Sequence, residues 1–194
     1  MPTSKTKIII IPGIFKREVF LEKFKEKLNN PNVDVEIYVM QWLESGMYSS
    51  NEKILIEKIV EYSKTYKNVF VIGTSAGGSV AINLYTKLPK QISKIVCICS
   101  PLDDRGITLK IGELISDKFK DSLADEMKNI KKLSSSQKKN ILTFMPKYDE
   151  LVPNQSMKIA GVKHIDVNSY EHLTSIGRVI NENIDDILSF LDVH

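Results

Sequence analysis

The residues best suited to chemistry form the string Gly73-Thr74-Ser75-Ala76-Gly77, a G-x-S-x-G motif between an apolar run and a helical pattern. In that setting the motif is typical of a nucleophilic serine on a strained strand-to-helix turn, which lifts the hydroxyl above a sheet. Glycines at the two flanking positions avoid collisions across so tight a bend. A helix that starts at Ala76 would also direct N–H groups at a developing oxyanion. The alternative is a glycine-rich turn with an incidental serine, which the strand and helix context disfavours.

The elements that must position this serine alternate along the chain. Short apolar runs alternate with amphipathic segments, which is typical of parallel βαβ units. Several runs are apolar at nearly every position, as strands covered on both faces must be. The six predicted strands are Lys7–Ile11, Val33–Val39, Asn68–Ile72, Lys94–Cys99, Asn140–Met145 and Val162–Val167.

Helical periodicity fills the segments between the predicted strands. One helix is expected directly after the third strand, over Ala76–Leu88, and another is expected to open with a capping box formed by Ser49 and Glu52. The last helix has apolar residues at helical spacing from Ile176 to Leu191 and should cover one face of the sheet.

The segment between the fourth and fifth strands, residues 103–136, is longer than one crossover needs. It is interpreted either as a lengthened crossover helix or as a partial lid over the site. The whole chain, residues 1–194, is otherwise expected to form a single domain.

The motif, its setting and the order of elements resemble the α/β-hydrolase superfamily over nearly the whole chain. The first two antiparallel strands of that fold are missing, so the sequence is similar to the minimal serine esterases and lipases with a six-stranded parallel sheet and helices on both faces. This resemblance implies a three-layer α/β fold and a Ser-His-Asp triad whose members follow one another along the chain as serine, acid and histidine.

The resemblance assigns the acid and the base. Asp149, at a strand end ahead of Val152-Pro153, matches the acid of the family. The loop aspartates Asp103 and Asp104 are rivals, and Glu150 is a weaker one.

His172, between the last strand and the last helix, matches the catalytic base. The two other histidines fit less well, because His164 lies inside a strand and His194 is the final residue.

The second oxyanion donor of the family comes from the loop after the first strand, which reads Pro12-Gly13-Ile14-Phe15 here. Proline replaces the usual histidine and has no N–H, so the backbone N–H groups of Ile14 and Ala76 are the expected donors. Phe15 and Leu102 are candidate substrate-binding residues. For Leu102 and Trp42 a place in the core is an equal alternative.

Composition excludes several other classes of protein. The two cysteines, Cys97 and Cys99, are poor disulfide partners at this spacing and are expected on the same strand face as buried apolar residues. The apolar run that ends at Ile11 is too short for a signal peptide or a membrane span, so a cytoplasmic protein is predicted. No metal or organic cofactor is implied.

The net charge of +3 is mild, but one stretch is dense in lysine. No aromatic residue interleaves with these lysines, so a nucleic-acid platform is disfavoured and a solvated helix face is the simpler interpretation. The stretch comprises Lys128, Lys131, Lys132, Lys138 and Lys139.

The sequence therefore predicts a serine hydrolase that acts on an ester-like bond of a small acyl substrate. Alternatives are a thioesterase or acyltransferase with the same triad, and a non-catalytic binding protein of the same fold. The oligomeric state is left open.

Overall fold

The computed structural model describes residues 5–15, 17–103 and 116–193. Six parallel strands in this part of the chain form one sheet in the order β2-β1-β3-β4-β5-β6. The strands are β1 (Thr6–Ile11), β2 (Val33–Ile37), β3 (Asn68–Thr74), β4 (Lys94–Ile98), β5 (Ile141–Pro146) and β6 (Lys163–Val167). All six predicted strands are present, with ends that differ by one or two residues.

The described helices lie on both faces of the sheet, so the predicted three-layer α/β architecture is confirmed. They are α1 (Glu18–Leu28), α2 (Tyr48–Thr65), α3 (Gly77–Lys87), α4 (Asp117–Ile130), α5 (Ser135–Lys138), α6 (His172–Glu182) and α7 (Ile184–Leu191). A 3-10 turn, Asn154–Met157, precedes β6.

The central strands are apolar at most positions because each face packs against helices. Ile9 and Ile11 of β1 belong to the core on the side of α2, α3 and α4. Ile8 and Ile10 belong to the opposite core, beside α1, α6 and α7. Successive side chains of a strand point to opposite faces, and a strand buried on both faces must therefore be apolar at every position.

Three details of the sequence interpretation were wrong. The capping box does not form, since α2 begins at Tyr48 and Met47 is its N-cap. Glu52 instead accepts hydrogen bonds from the Tyr48 hydroxyl at 3.0 Å and from Lys87 Nζ at 2.6 Å. Glu52 therefore pairs with Lys87 of the neighbouring helix α3 and does not cap its own helix.

The last predicted helix is divided at Asn183 into α6 and α7. The two cysteines also lie on opposite faces, with Cys97 in the α3 side of the core and Cys99 in the other. Cys99 follows the end of β4 with a φ of 49°, so the two-residue alternation of the strand no longer applies to it.

The segment predicted as a crossover or a lid is described only in part. Residues 104–115 lie outside the described residues, as does Asp104, the rival acid. The remainder contains α4, which packs against α3, with a hydrogen bond from Asn83 Nδ2 to the Ser122 carbonyl at 2.8 Å. The described part of the segment is therefore anchored in the core, and the lid stays a prediction.

Glu126 on α4 is completely buried, and neither of its carboxylate oxygens has a hydrogen-bond partner among the described residues. Burial, and to a smaller extent the charge of Asp103, raises the pKa of Glu126 well above its ordinary value of 4.5. An unpartnered carboxylate without solvent is costly, so the folded protein favours the protonated form.

This raised pKa makes a prediction about stability. Below pH 4.5 Glu126 is protonated in both folded and unfolded chains, so its contribution to stability is fully present there. As pH rises towards the raised pKa, only the unfolded chain releases the proton, and the free energy of unfolding falls by up to about 1.4 kcal/mol per pH unit. Glu126→Gln should remove this decline, so that denaturant unfolding shows a variant more stable than wild type at pH 8 and similar at pH 4.5. The control is Glu61→Gln, at an exposed residue of α2, which should leave both values unchanged.

Candidate active site

Ser75 occupies a strained turn between β3 and α3. Its φ is 51°, in the left-handed region that residues with a side chain seldom adopt. The turn is held by a hydrogen bond from the Ser75 N–H to the Ile98 carbonyl at 2.9 Å and one from the Gly78 N–H to the Ser75 carbonyl at 3.0 Å. Strain of this kind persists only where surrounding contacts impose it.

The glycines around Ser75 are required by close backbone approach. A Cβ on Gly73 would lie 2.4 Å from the Gly77 carbonyl oxygen, and a Cβ on Gly77 would lie 1.9 Å from the Ile11 carbonyl oxygen. These distances confirm the steric reason predicted for the motif. Gly13, in the loop after β1, has a similar constraint, since its Cβ would lie 2.6 Å from the Ser75 Cβ.

His172 lies within hydrogen-bond distance of the serine. Its Nε2 is 2.9 Å from Ser75 Oγ, although the two residues are 97 positions apart in the chain. His172 is predicted from the sequence to lie in a loop, but in the structure it is the first residue of α6. Its backbone N–H donates to Glu150 Oε2 at 2.9 Å, which fixes the start of this helix.

Asp149 contacts the other side of the imidazole. Its Oδ2 is 2.7 Å from His172 Nδ1, and both side chains are buried. The other oxygen, Oδ1, accepts the N–H groups of Leu151 at 2.9 Å and Val152 at 2.7 Å. Since an ionised carboxylate only accepts, Nδ1 must carry the proton, and Nε2 is left to accept from the Ser75 hydroxyl.

The structure thus brings together Ser75, His172 and Asp149, and the rivals that lie within the described residues are outside this line of hydrogen bonds. Glu150 contacts the backbone of His172 rather than its ring. His164 faces Thr143 on β5 and the Ile159 carbonyl, and His194 lies outside the described residues. Asp103, just after β4, contributes to a different cavity.

The predicted oxyanion donors lie on the two segments that flank Ser75. Within the described residues, the N–H groups of Ile14 and Ala76 donate to no other protein group. Ala76 is the N-cap of α3, where the helix dipole favours negative charge. The Trp42 indole N–H donates to the Pro12 carbonyl at 3.0 Å and so fixes the loop that carries Ile14. Trp42 is therefore mostly core, and it positions the loop.

Ser75 and His172 open into a narrow cavity of about 40 Å³. Phe15 lines it, but Leu102 is buried in the core and lines another cavity. The helical spacing of Ile176 and Ile180 indicates a side that faces the core, so their place in this wall is not apparent from the sequence. The other apolar wall residues are Pro12, Phe20, Leu21, Leu173, Ile176 and Ile180.

Comparison with known proteins agrees with this architecture. A family model described as steryl acetyl hydrolase matches residues 19–107, which is less than half of the chain. A search of curated proteins finds no match to the sequence.

Solved structures match over nearly the full length. One, reported for the metagenome-derived lipolytic enzymes LipS and LipT, superposes with a TM-score of 0.71 at 10% identity, covering 100% of this chain and 96% of that one. The esterase Est1E from Butyrivibrio proteoclasticus gives 0.66 at 14% identity, covering 98% and 90%. The α/β hydrolase MGS-M2, from a Medee basin deep-sea metagenome library, gives 0.68 at 16% identity, covering 100% and 92%.

The chain therefore has the α/β-hydrolase fold, as the sequence resemblance implied. The family match and the enzymes with this fold also support the assignment of the chain as a hydrolase. Within the described residues, no helix is long and apolar enough to cross a membrane.

The hydrogen bonds of Asp149 make a prediction about the histidine tautomer. In Asp149→Asn the amide oxygen can keep the two N–H groups of the turn, so the NH₂ group faces His172 Nδ1. That arrangement puts the imidazole proton on Nε2, where it can no longer accept from Ser75. The value of kcat for ester hydrolysis should fall by about 10⁴-fold, with the thermal midpoint little changed. Steady-state kinetics on Asp103→Asn provides the comparison, and a larger loss in that variant would contradict the choice of acid.

Proposed function

We propose that the protein is a serine hydrolase that cleaves an ester of a small acyl group, with Ser75 as nucleophile, His172 as base and Asp149 as acid. The observation that carries the proposal is the unbroken line of hydrogen bonds from the buried Asp149 carboxylate through the imidazole to Ser75 Oγ. The backbone N–H groups of Ile14 and Ala76, which donate to no other group among the described residues, support the proposal further. The likeness to lipolytic enzymes supports it as well.

The geometry supports acyl transfer to water in two steps. The Ser75 hydroxyl attacks the ester carbonyl carbon while Nε2 of His172 takes its proton. The N–H groups of Ile14 and Ala76 stabilise the negative oxygen of the tetrahedral intermediate. The imidazolium, stabilised by Asp149, then protonates the departing alcohol, and an acyl-enzyme remains.

Water completes the second half of the reaction. His172 removes a proton from water as it attacks the acyl-enzyme, and the carboxylic acid leaves when Ser75 regains its proton. All of these steps use groups of the chain itself, so the proposal includes no cofactor.

The narrow cavity favours a short acyl group. About 40 Å³ corresponds to roughly three water-sized spheres, which suits an acetyl group. The similarity of residues 19–107 to a steryl acetyl hydrolase model supports acetyl esters as the first substrates to test. A cytoplasmic location belongs to the same proposal, and the two free, buried cysteines agree with a reducing compartment.

The nucleophile is tested by Ser75→Ala. This variant should lose detectable hydrolysis of 4-nitrophenyl acetate and all labelling by a fluorophosphonate probe, because no other group supplies the attacking oxygen. A variant of a buried serine away from the cavity, Ser156→Ala, should still be labelled. Persistent labelling of Ser75→Ala would refute the assignment.

The acyl preference is tested with esters of increasing chain length. The specificity constant kcat/KM should fall from 4-nitrophenyl acetate to the octanoate, because the cavity has room for only a few carbon atoms. A methylene group that does not fit a binding pocket lowers kcat/KM by about tenfold or more. Ile176→Ala shortens a side chain of the wall and so enlarges the cavity, which should shift the preferred acyl length towards butyrate. The matched control is Ile184→Ala, a partly buried isoleucine of α7 outside the cavity, which should leave the profile unchanged. A flat profile in wild type would contradict a short-acyl preference.

A further inference from the structure

The lysine-rich stretch singled out in the sequence does not form one uniform solvated face. Lys128 pairs with Asp125 at 3.4 Å, and Lys132 donates to Asn129 Oδ1 at 3.1 Å, both on or next to α4. Lys131 and Lys138 differ from them, because both line a cavity of about 450 Å³. That volume lies in the range of sites that hold small molecules.

A third lysine reaches this cavity from a distant part of the chain. Lys158 lies just before β6, whereas Lys131 follows α4 and Lys138 ends α5. Across the described residues, none of the three ammonium groups has a carboxylate at ion-pair distance. Asp103 also lines the cavity and adds one opposite charge there, and it has an interaction partner of its own. Three like charges from separate elements therefore share one concave surface, an arrangement that an anion would stabilise.

The rest of the cavity lining is apolar. Leu102 and Ile159 are buried in the core and form part of the floor, so this surface is continuous with the interior of the domain. The remaining apolar lining residues are Met127, Ile130 and Ala160. A floor of this kind cannot satisfy a free inorganic ion, but it can bury an alkyl group whose charged end remains near the lysines.

We propose that this lysine-rimmed cavity binds an amphipathic anion, a small molecule with a phosphate or carboxylate group attached to an apolar part. The described linings of this cavity and of the one at Ser75 have no residue in common, so the site is distinct from the triad and independent of the proposed function. It also accounts for Leu102, a candidate substrate residue that lies away from Ser75.

Calorimetric titration of the full chain with octyl phosphate, below its micelle concentration, tests the site. We expect saturable one-to-one binding that weakens as salt is added, because the lysines are exposed at the rim. Octanol, inorganic phosphate and octyltrimethylammonium should each bind at least tenfold more weakly. Equal affinity for octanol would overturn the role of the lysines, and equal affinity for inorganic phosphate would overturn the role of the apolar floor.

Two kinds of variant separate charge from volume. The triple variant Lys131→Gln, Lys138→Gln, Lys158→Gln should weaken octyl phosphate binding at least tenfold, and Ala160→Trp should abolish it by filling the cavity while all the charges remain. The matched control is the double variant Lys128→Gln, Lys132→Gln, which removes neighbouring charges outside the cavity and should bind within twofold of wild type. An unchanged affinity in the triple variant would overturn the proposal.

Two further arms identify the source of the anion and separate this site from the catalytic one. Vesicles of phosphatidylglycerol should not compete with octyl phosphate, and lysine-dependent vesicle binding without octyl phosphate binding would overturn a single-molecule ligand. Enzyme labelled at Ser75 with a fluorophosphonate should bind octyl phosphate as before, and loss of binding would assign the ligand to the catalytic cavity instead. The triple variant should hydrolyse 4-nitrophenyl acetate within twofold of wild type.

Discussion

The close approach of β1 to the turn after β3 is the constraint on which the rest of the site depends. A Cβ on Gly77 would lie 1.9 Å from the Ile11 carbonyl oxygen, so the start of α3 lies directly against the end of β1. This contact fixes the positive φ of Ser75 and brings the loop at Gly13 beside its side chain. Backbone contacts therefore position Ser75, and the loop of Ile14, an expected oxyanion donor, is held in addition by the hydrogen bond from the Trp42 side chain to the Pro12 carbonyl.

The hydrogen bonds of two buried acids differ in a way that matches their different surroundings. Asp149 has an imidazole on one oxygen and two backbone N–H groups on the other, so its negative charge is satisfied without solvent. Glu126 is equally buried and has no hydrogen-bond partner in the part of the chain that the structure describes, so burial raises its pKa. The hydrogen bonds of Asp149 suit a charged group that orients a histidine. The buried carboxyl group of Glu126, in contrast, lowers the stability of the folded protein when it is ionised.

Charge is distributed unevenly between the cavity at Ser75 and the lysine-rimmed cavity. The cavity at Ser75 is narrow and has mostly apolar walls, with Arg17 as its one charged side chain apart from the triad in the described lining. The second cavity, between α4, α5 and the segment before β6, has an apolar floor and three lysines with no carboxylate at ion-pair distance among the described residues. The two cavities therefore favour ligands of different chemistry.

The sequence by itself determined the strands, the helix after the motif and the choice of Ser75, since strand burial on both faces and the glycine pattern are local signals. It also supplied His172 and Asp149 as candidates, through the order of elements that the superfamily resemblance implied. Only the tertiary structure decided that the two side chains meet, because they contact across 23 residues, and that Cys97 and Cys99 lie on opposite faces. The capping box predicted at Ser49 is likewise absent because of a contact distant in sequence, since Glu52 pairs with Lys87 on another helix. Cavity walls such as Ile176 could not be told from core, because periodicity shows which side of a helix is buried but not whether the space beside it is filled.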